Sequence, residues 1–137
     1  MTDEITITLE YTHFGAIGDA MLDELDKVCH STALAVESEA KQLIQDSPAS
    51  GRIYKHGKVI HHASAPGEPP ATDTGNLVNS GYTGRIEKAQ YEAGFTALYA
   101  QALEFGAGRM SARPYLRPAV EKLRETFNRM VRKVLEG

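Results

Sequence analysis

Three groups of residues in this sequence are of types and spacings that could do chemistry. His56, His61 and His62 fall within one short stretch, and imidazole is the commonest transition-metal ligand. No carboxylate or thiolate stands beside them at ligand spacing, and adjacent His61 and His62 in a strand would point to opposite faces. They remain weak metal candidates, and no metal and no cofactor are expected. Cys29 beside His30 pairs a nucleophile with a base, but Cys29 lies on the apolar margin of a helical pattern, which marks a buried structural thiol. Arg109, Arg113 and Arg117, spaced by four, flank a Gly-rich turn and could face phosphates. No recognition motif accompanies them, and a solvated face is the simpler reading. Phe105-Gly106-Ala107-Gly108-Arg109 lacks the strand-to-helix context and the Lys-Ser/Thr ending of a phosphate loop. Neither a Gly-x-Ser-x-Gly elbow nor a His-Glu-x-x-His helix occurs. No catalytic residue is assigned, and the chain is not expected to be an enzyme.

The elements that would position these residues follow from periodicity. Glu4 to Glu10 alternates, with Ile5, Ile7 and Leu9 on one side, as a half-buried strand does. From about Ile17 to Gln45 apolar residues recur at steps of three and four: Met21, Leu25, Val28, Thr32, Val36, Ala40 and Leu43, widened by Leu22, Cys29 and Ile44. This is a long amphipathic helix, stopped by Asp46-Ser47-Pro48. Its length exceeds what a small compact domain needs, so part of it is expected against another subunit. Arg52–Lys55 and Lys58–His61 bracket His56-Gly57 as a hairpin. Residues 62–73, rich in proline and without periodicity, read as an extended arm stiffened towards polyproline II. Asp73-Thr74-Gly75-Asn76-Leu77-Val78-Asn79-Ser80 reads as a single helical turn capped by Asp73 or Thr74, with Leu77 anchored on the core. Strands are expected around Tyr82–Glu87 and Tyr91–Thr96, with Tyr82, Gly84 and Ile86, and Tyr91, Ala93 and Phe95, facing inward. Gly84 and Gly94 suggest bulges or close backbone approach. Leu98 to Phe105 is a short apolar helix or turn. Leu116, Val120, Leu123, Phe127, Met130 and Val134 mark a C-terminal helix whose start is set by Pro114 and Pro118. The expected fold is one α+β domain over residues 1–137: a long N-terminal helix and a C-terminal helix packed on a mainly antiparallel sheet.

With 137 residues, 42% hydrophobic and 24% charged, the chain suits a single globular domain. Its net charge of -3 conceals an imbalance. Residues 1–50 hold ten acidic and two basic residues, whereas residues 51–137 hold thirteen basic and eight acidic. Opposite halves either lie against each other within the fold or meet charged partners. The single cysteine excludes an internal disulfide framework. The opening MTDEITITLE has no basic region followed by an apolar core, so no signal peptide is expected, and no apolar run is long enough to cross a bilayer.

Three ordered stretches go beyond a generic α+β domain. They are Ser64-Ala65-Pro66-Gly67-Glu68-Pro69-Pro70, then Asp73-Thr74-Gly75-Asn76-Leu77-x-x-Ser80, then Tyr99-Ala100-x-x-x-Glu104-Phe105-Gly106 running on through Ala112-Arg113-Pro114-Tyr115-Leu116-Arg117-Pro118-Ala119. In this order, between a long helix and a C-terminal helix, they resemble the head–tail joining and tail-completion proteins of tailed bacteriophages. The resemblance covers residues 14–135, with Tyr115 where Phe is more usual. It implies a virion structural protein, made in the host cytoplasm, that forms a ring, commonly a hexamer, at the neck or the head-proximal end of the tail. Its partners would be further copies of itself, the tail-tube protein and head-completion or connector proteins. Genome DNA would pass through the ring without sequence-specific binding, and no membrane is involved. A tail-tube terminator and a connector-side adaptor are the two roles within this class.

The same residues carry expectations without the family. Ser64, Pro66, Gly67, Glu68, Pro69 and Pro70, in an extended arm, suit contact with a neighbouring subunit. Tyr99 and Phe105 supply aromatic packing, and Glu104 is close enough in sequence to Arg113 for an ion pair. Ala100, Gly106 and Leu116 complete the structural set. Asp19, Asp23 and Glu24 on the acidic helix, with Arg109, Arg113 and Arg117, form a possible charged interface or channel lining. The alternatives from other classes are a nucleic-acid-binding or toxin-like protein using the basic second half, and a metal-dependent hydrolase using the three histidines.

Overall fold

The computed structural model describes residues 5–10, 18–49, 51, 53–56, 59–62, 64–70, 75–108 and 111–136. Strand β1 (Ile5–Glu10) is followed by helix α1 (Asp19–Gln45), the hairpin strands β2 (Ile53–His56) and β3 (Val59–His62), and the single turn α2 (Asn76–Asn79). Strands β4 (Gly81–Glu87) and β5 (Gln90–Phe95), helix α3 (Ala100–Phe105) and helix α4 (Leu116–Glu136) complete the order. The fold is α+β, with long helices near both ends of the chain and antiparallel strands between and beside them. β1, β5 and β4 form one antiparallel sheet with β5 in the middle, and β2 and β3 form a second.

α1 lies between the three-stranded sheet and α4. Its stripe of Leu25, Cys29, Thr32, Ala33, Val36, Ala40 and Ile44 is buried, as the periodicity predicts. The helix has 27 residues, or about 40 Å at 1.5 Å per residue. The 21-residue α4 runs back along it: Lys122 meets Glu39, while Phe127 and Met130 lie across from Ser31, Thr32 and Ala35. This packing accounts for much of the length that suggested a neighbouring subunit. Against β5 the helix covers Tyr91, Ala93 and Phe95, at 5%, 1% and 0% exposure, which is the inward set expected from sequence.

β4 presents the opposite parity from the one expected. Its register sets Gly81, Thr83 and Arg85 across from Phe95, Ala93 and Tyr91, and directly opposed residues share a face. The Thr83 hydroxyl donates to Glu37 Oε1 at 2.8 Å. A Cβ on Gly81 would come within 2.6 Å of Lys41 Cε and 3.0 Å of the Phe95 ring. Ile86, expected inside, is 49% exposed, and a register shift lies between Arg85 and Glu87. The reason is that α1 offers this edge strand polar partners, Asp26, Glu37 and Lys41, so Thr83 and Arg85 turn towards it. The bulge is at Arg85–Glu87, whereas Gly84 stays in regular pairing with Glu92.

Two boundaries also move. In the hairpin His56 pairs with Val59, so the strands bracket Gly57 and Lys58, one residue later than expected. Residues 64–70 lie against their own chain. Gly67 turns at φ +85°, its N–H donates to the Ala112 carbonyl at 3.0 Å, and the Ser47 hydroxyl donates to the Pro69 carbonyl at 2.6 Å. Ser64 and Pro70 are buried, while Pro66 and Gly67 are exposed. The expected extended arm is, over these residues, a turn fastened to its own chain.

Candidate functional site: the corner at the entry to α4

The two parts of the third stretch meet at the entry to α4, and Glu104 holds them there. A helix begins with backbone N–H groups that have no partner inside the helix. Here the Tyr115 and Leu116 N–H groups donate to Glu104 Oε2 at 2.8 and 2.9 Å, and the Arg117 N–H donates to Oε1 at 2.8 Å. Pro118, the third residue of α4, has no N–H to satisfy. Glu104 is 4% exposed, and its charge complements the positive end of the helix. The Tyr115 hydroxyl donates to the Ala100 carbonyl at 3.0 Å, and its ring meets Phe95 edge-on at 5.1 Å. Burial, with the charge of Glu104 and the neighbouring Tyr99, pushes the Tyr115 hydroxyl pKa well up. α3 ends at Gly106, which takes φ +80°.

The stretch that precedes this corner is tied to it. Gly67 bonds Ala112, and the Arg113 N–H donates to the Leu103 carbonyl at 2.6 Å. Leu77 is buried in the same core as Ala100, Tyr115 and Leu116. Its helical turn begins at Gly75, with φ +81°, and ends where the Ser80 hydroxyl donates to the Leu77 carbonyl at 2.8 Å. Asp73 and Thr74, expected to cap it, lie outside the described residues, as does Arg109.

The corner differs from expectation in two ways. The Glu104–Arg113 ion pair is absent: both Glu104 oxygens serve the backbone, and Arg113 Nε is buried with no hydrogen-bond partner. Tyr99 and Phe105 do not supply buried packing either. They are 44% and 53% exposed, and with Leu98 at 80% they leave an apolar rim outside the corner. Of the aromatic residues in this third stretch, Tyr115 is the buried one. Arg117 stands over the Phe105 ring, 5.4 Å from its centroid.

A second polar cluster, not singled out by the sequence, fastens the β4–β5 turn to α1. Ala89 is fully buried at φ +59°. Its N–H donates to Asp26 Oδ1 at 2.8 Å, and its carbonyl accepts from the Cys29 thiol at 3.5 Å. The Tyr91 hydroxyl donates to Asp26 Oδ2 at 2.9 Å, and the His30 and Tyr91 rings stack at 4.8 Å. Burial pushes the Asp26 carboxyl up, but the Ala89 N–H, the Tyr91 hydroxyl, Arg85 and Lys88 outweigh it, and the net shift is downward. Burial, with the charge of Asp26, raises the Cys29 thiol to about 11. At neutral pH that sulfur is protonated and a poor nucleophile.

The acidic and basic halves meet inside the chain. Asp23 pairs with Lys88, Arg85 approaches Asp26 at 4.0 Å, and Glu39 pairs with Lys122 at 2.8 Å. Glu24 pairs with Lys27, next to it on α1, and Asp19 is exposed. His56, His61 and His62 stand in β2 and β3 opposite Val59, Tyr54 and Ile53. Among the described residues no group of three or more His, Cys, Asp or Glu is placed to hold a metal. No described helix is long and apolar enough to cross a membrane. No protein-family model, no curated protein and no solved structure matches the chain.

Proposed function

We propose that this chain is a structural subunit of the phage head–tail junction, assembling as a ring, commonly a hexamer, at the neck or the head-proximal end of the tail. The observation that carries the reading is the corner at α3 and α4. The stretches that resemble the tail-completion proteins build a rigid internal joint around Glu104 and Tyr115, and they leave Leu98, Tyr99 and Phe105 on the outside. Half of the six large hydrophobic residues exposed on the described surface fall in this one short segment, and apolar rims of this kind mark protein contacts. The carboxylates of Glu104 and Asp26 are taken up by backbone N–H groups and by the Tyr91 hydroxyl, as a scaffold requires. The basic second half, the sole support for a nucleic-acid-binding alternative, is drawn on by the acids of α1 through Arg85, Lys88 and Lys122.

Heterologous contacts between identical subunits close into a ring when the rotation between them closes. The mechanism is therefore geometric: the ring ends or completes the tail and presents a surface to the connector while the genome passes through. In virions of a phage that carries this gene, gold-labelled antibody to the chain is expected at the neck. Labelling spread along the tail, or absent from particles, contradicts the proposal.

A further inference from the structure

We infer that a second copy of this chain docks through two patches at opposite ends of the β4–β5 hairpin: the apolar rim at α3 with Arg117 on one copy, and Ile86 with Glu87 on the next. The inference rests on the ring reading and names its contact.

The register of the sheet sets the two patches apart. Gly81 pairs with Phe95, and Leu98 follows just beyond that end. Ile86 and Glu87 lie at the other end, beside the turn, so about 20 Å of strand at 3.3 Å per residue separates the patches. Two different surfaces on opposite ends of one subunit are what a head-to-tail contact requires. Both carry exposed apolar groups: Leu98 at 80% and Phe105 at 53% on one, Ile86 at 49% on the other.

Their charges are complementary because each end is left with one unpaired sign. At the turn end the cations are occupied, Lys88 by Asp23 and Arg85 by Asp26. Glu87 is exposed and has no ion pair among the described residues. At the α3 end the carboxylates are occupied, Glu104 by three backbone N–H groups and Glu121 by Arg124 at 2.9 Å. Arg117 is exposed, its guanidinium stands over the Phe105 ring, and it has no ion pair among the described residues. An unpaired anion beside an apolar side chain thus faces an unpaired cation beside an apolar rim. Such complementarity fixes register and suppresses the like-on-like contact.

The test is charge reversal and its rescue, read on the full chain by mass photometry for assembly and by thermal melting for folding. Arg117→Glu and Glu87→Arg, each alone, are expected to melt as wild type and to raise the half-assembly concentration on the order of tenfold. The double variant Arg117→Glu with Glu87→Arg is expected to restore assembly. Leu98→Ser, which removes an apolar group that lies 80% exposed and outside the core, is expected to weaken it as well. A ring that forms normally in all the single variants overturns this contact and leaves the ring reading standing. Single variants that fail without rescue by the double also overturn it. A wild-type chain that never assembles, alone or with tail tubes added, overturns both.

Discussion

At the level of single residues, Glu104 does for α4 what a capping side chain ordinarily does from within the same helix, but it reaches in from α3. Glu104→Ala would leave three N–H groups without partners, two of them on buried residues, and each such loss costs roughly 1–3 kcal/mol. We expect a loss of at least about 3 kcal/mol in urea unfolding, with Glu104→Gln milder because one oxygen remains. Cys29 gives a chemical readout. With its thiol held near 11 and fully buried, iodoacetamide at neutral pH is expected to leave it unmodified in the native protein and to alkylate it on unfolding. Asp26 gives a pH readout. Its carboxyl ionises below the ordinary 3.8, so the folded state favours the anion, and the stabilisation is complete above that value and lost as pH falls through the lower folded one. Asp26→Asn is therefore expected to be destabilising near pH 7, with a gap to wild type that narrows in guanidinium melts as pH falls below the ordinary 3.8. Cys29 was legible as a buried thiol because its neighbours keep helical spacing. Glu104 and Asp26 were not legible in their roles, because a carboxylate that accepts from backbone far along the chain leaves no periodic trace. Proximity in sequence suggested Arg113 for Glu104, and the helix terminus took it instead.

At the level of elements, the long helices were readable because one face of each is continuously apolar, and α1 and α4 follow those stripes closely. β5 was readable for the same reason, as Tyr91, Ala93 and Phe95 alternate with polar neighbours. β4 misled because its apolar residues, Tyr82 and Ile86, stand on the face away from α1, while Gly81 and Thr83 turn inward to Lys41, Phe95 and Glu37. An edge strand's inner face is decided by what the packed helix offers it, and that information lies in α1. Residues 64–70 misled in a different way. Proline and the lack of periodicity indicate an irregular path, but they do not say whether that path is free, and here it is bonded to Ser47 and Ala112. Deleting residues 64–70 is therefore expected to lower the melting temperature as well as to affect assembly. Tyr115 joins the start of α3 to the entry of α4 through its hydroxyl. Tyr115→Phe, the residue more usual in the resembling family, is expected to keep the fold and cost about 1 kcal/mol in urea unfolding.

At the level of the whole molecule, the charge split is in part an internal arrangement. The acids of α1 meet Arg85, Lys88 and Lys122 from the second half. These pairs are largely at the surface, where each is worth less than about 1 kcal/mol. Lys122→Glu is accordingly expected to change stability by no more than about that amount, and added salt to change the monomer's melting temperature little. What the internal pairing leaves over is an apolar rim with Arg117 at one end of the hairpin and Ile86 with Glu87 at the other. We propose that these two leftover surfaces are where copies of the chain meet. The central claim is that it closes into a ring, and negative-stain electron microscopy of the purified full chain, over a range of concentrations and with tail tubes added, tests it most directly. Closed rings of uniform size with an open axis, free or seated at one end of the tubes, are the predicted result. Monomers at every concentration, with tube ends bare, would contradict the account.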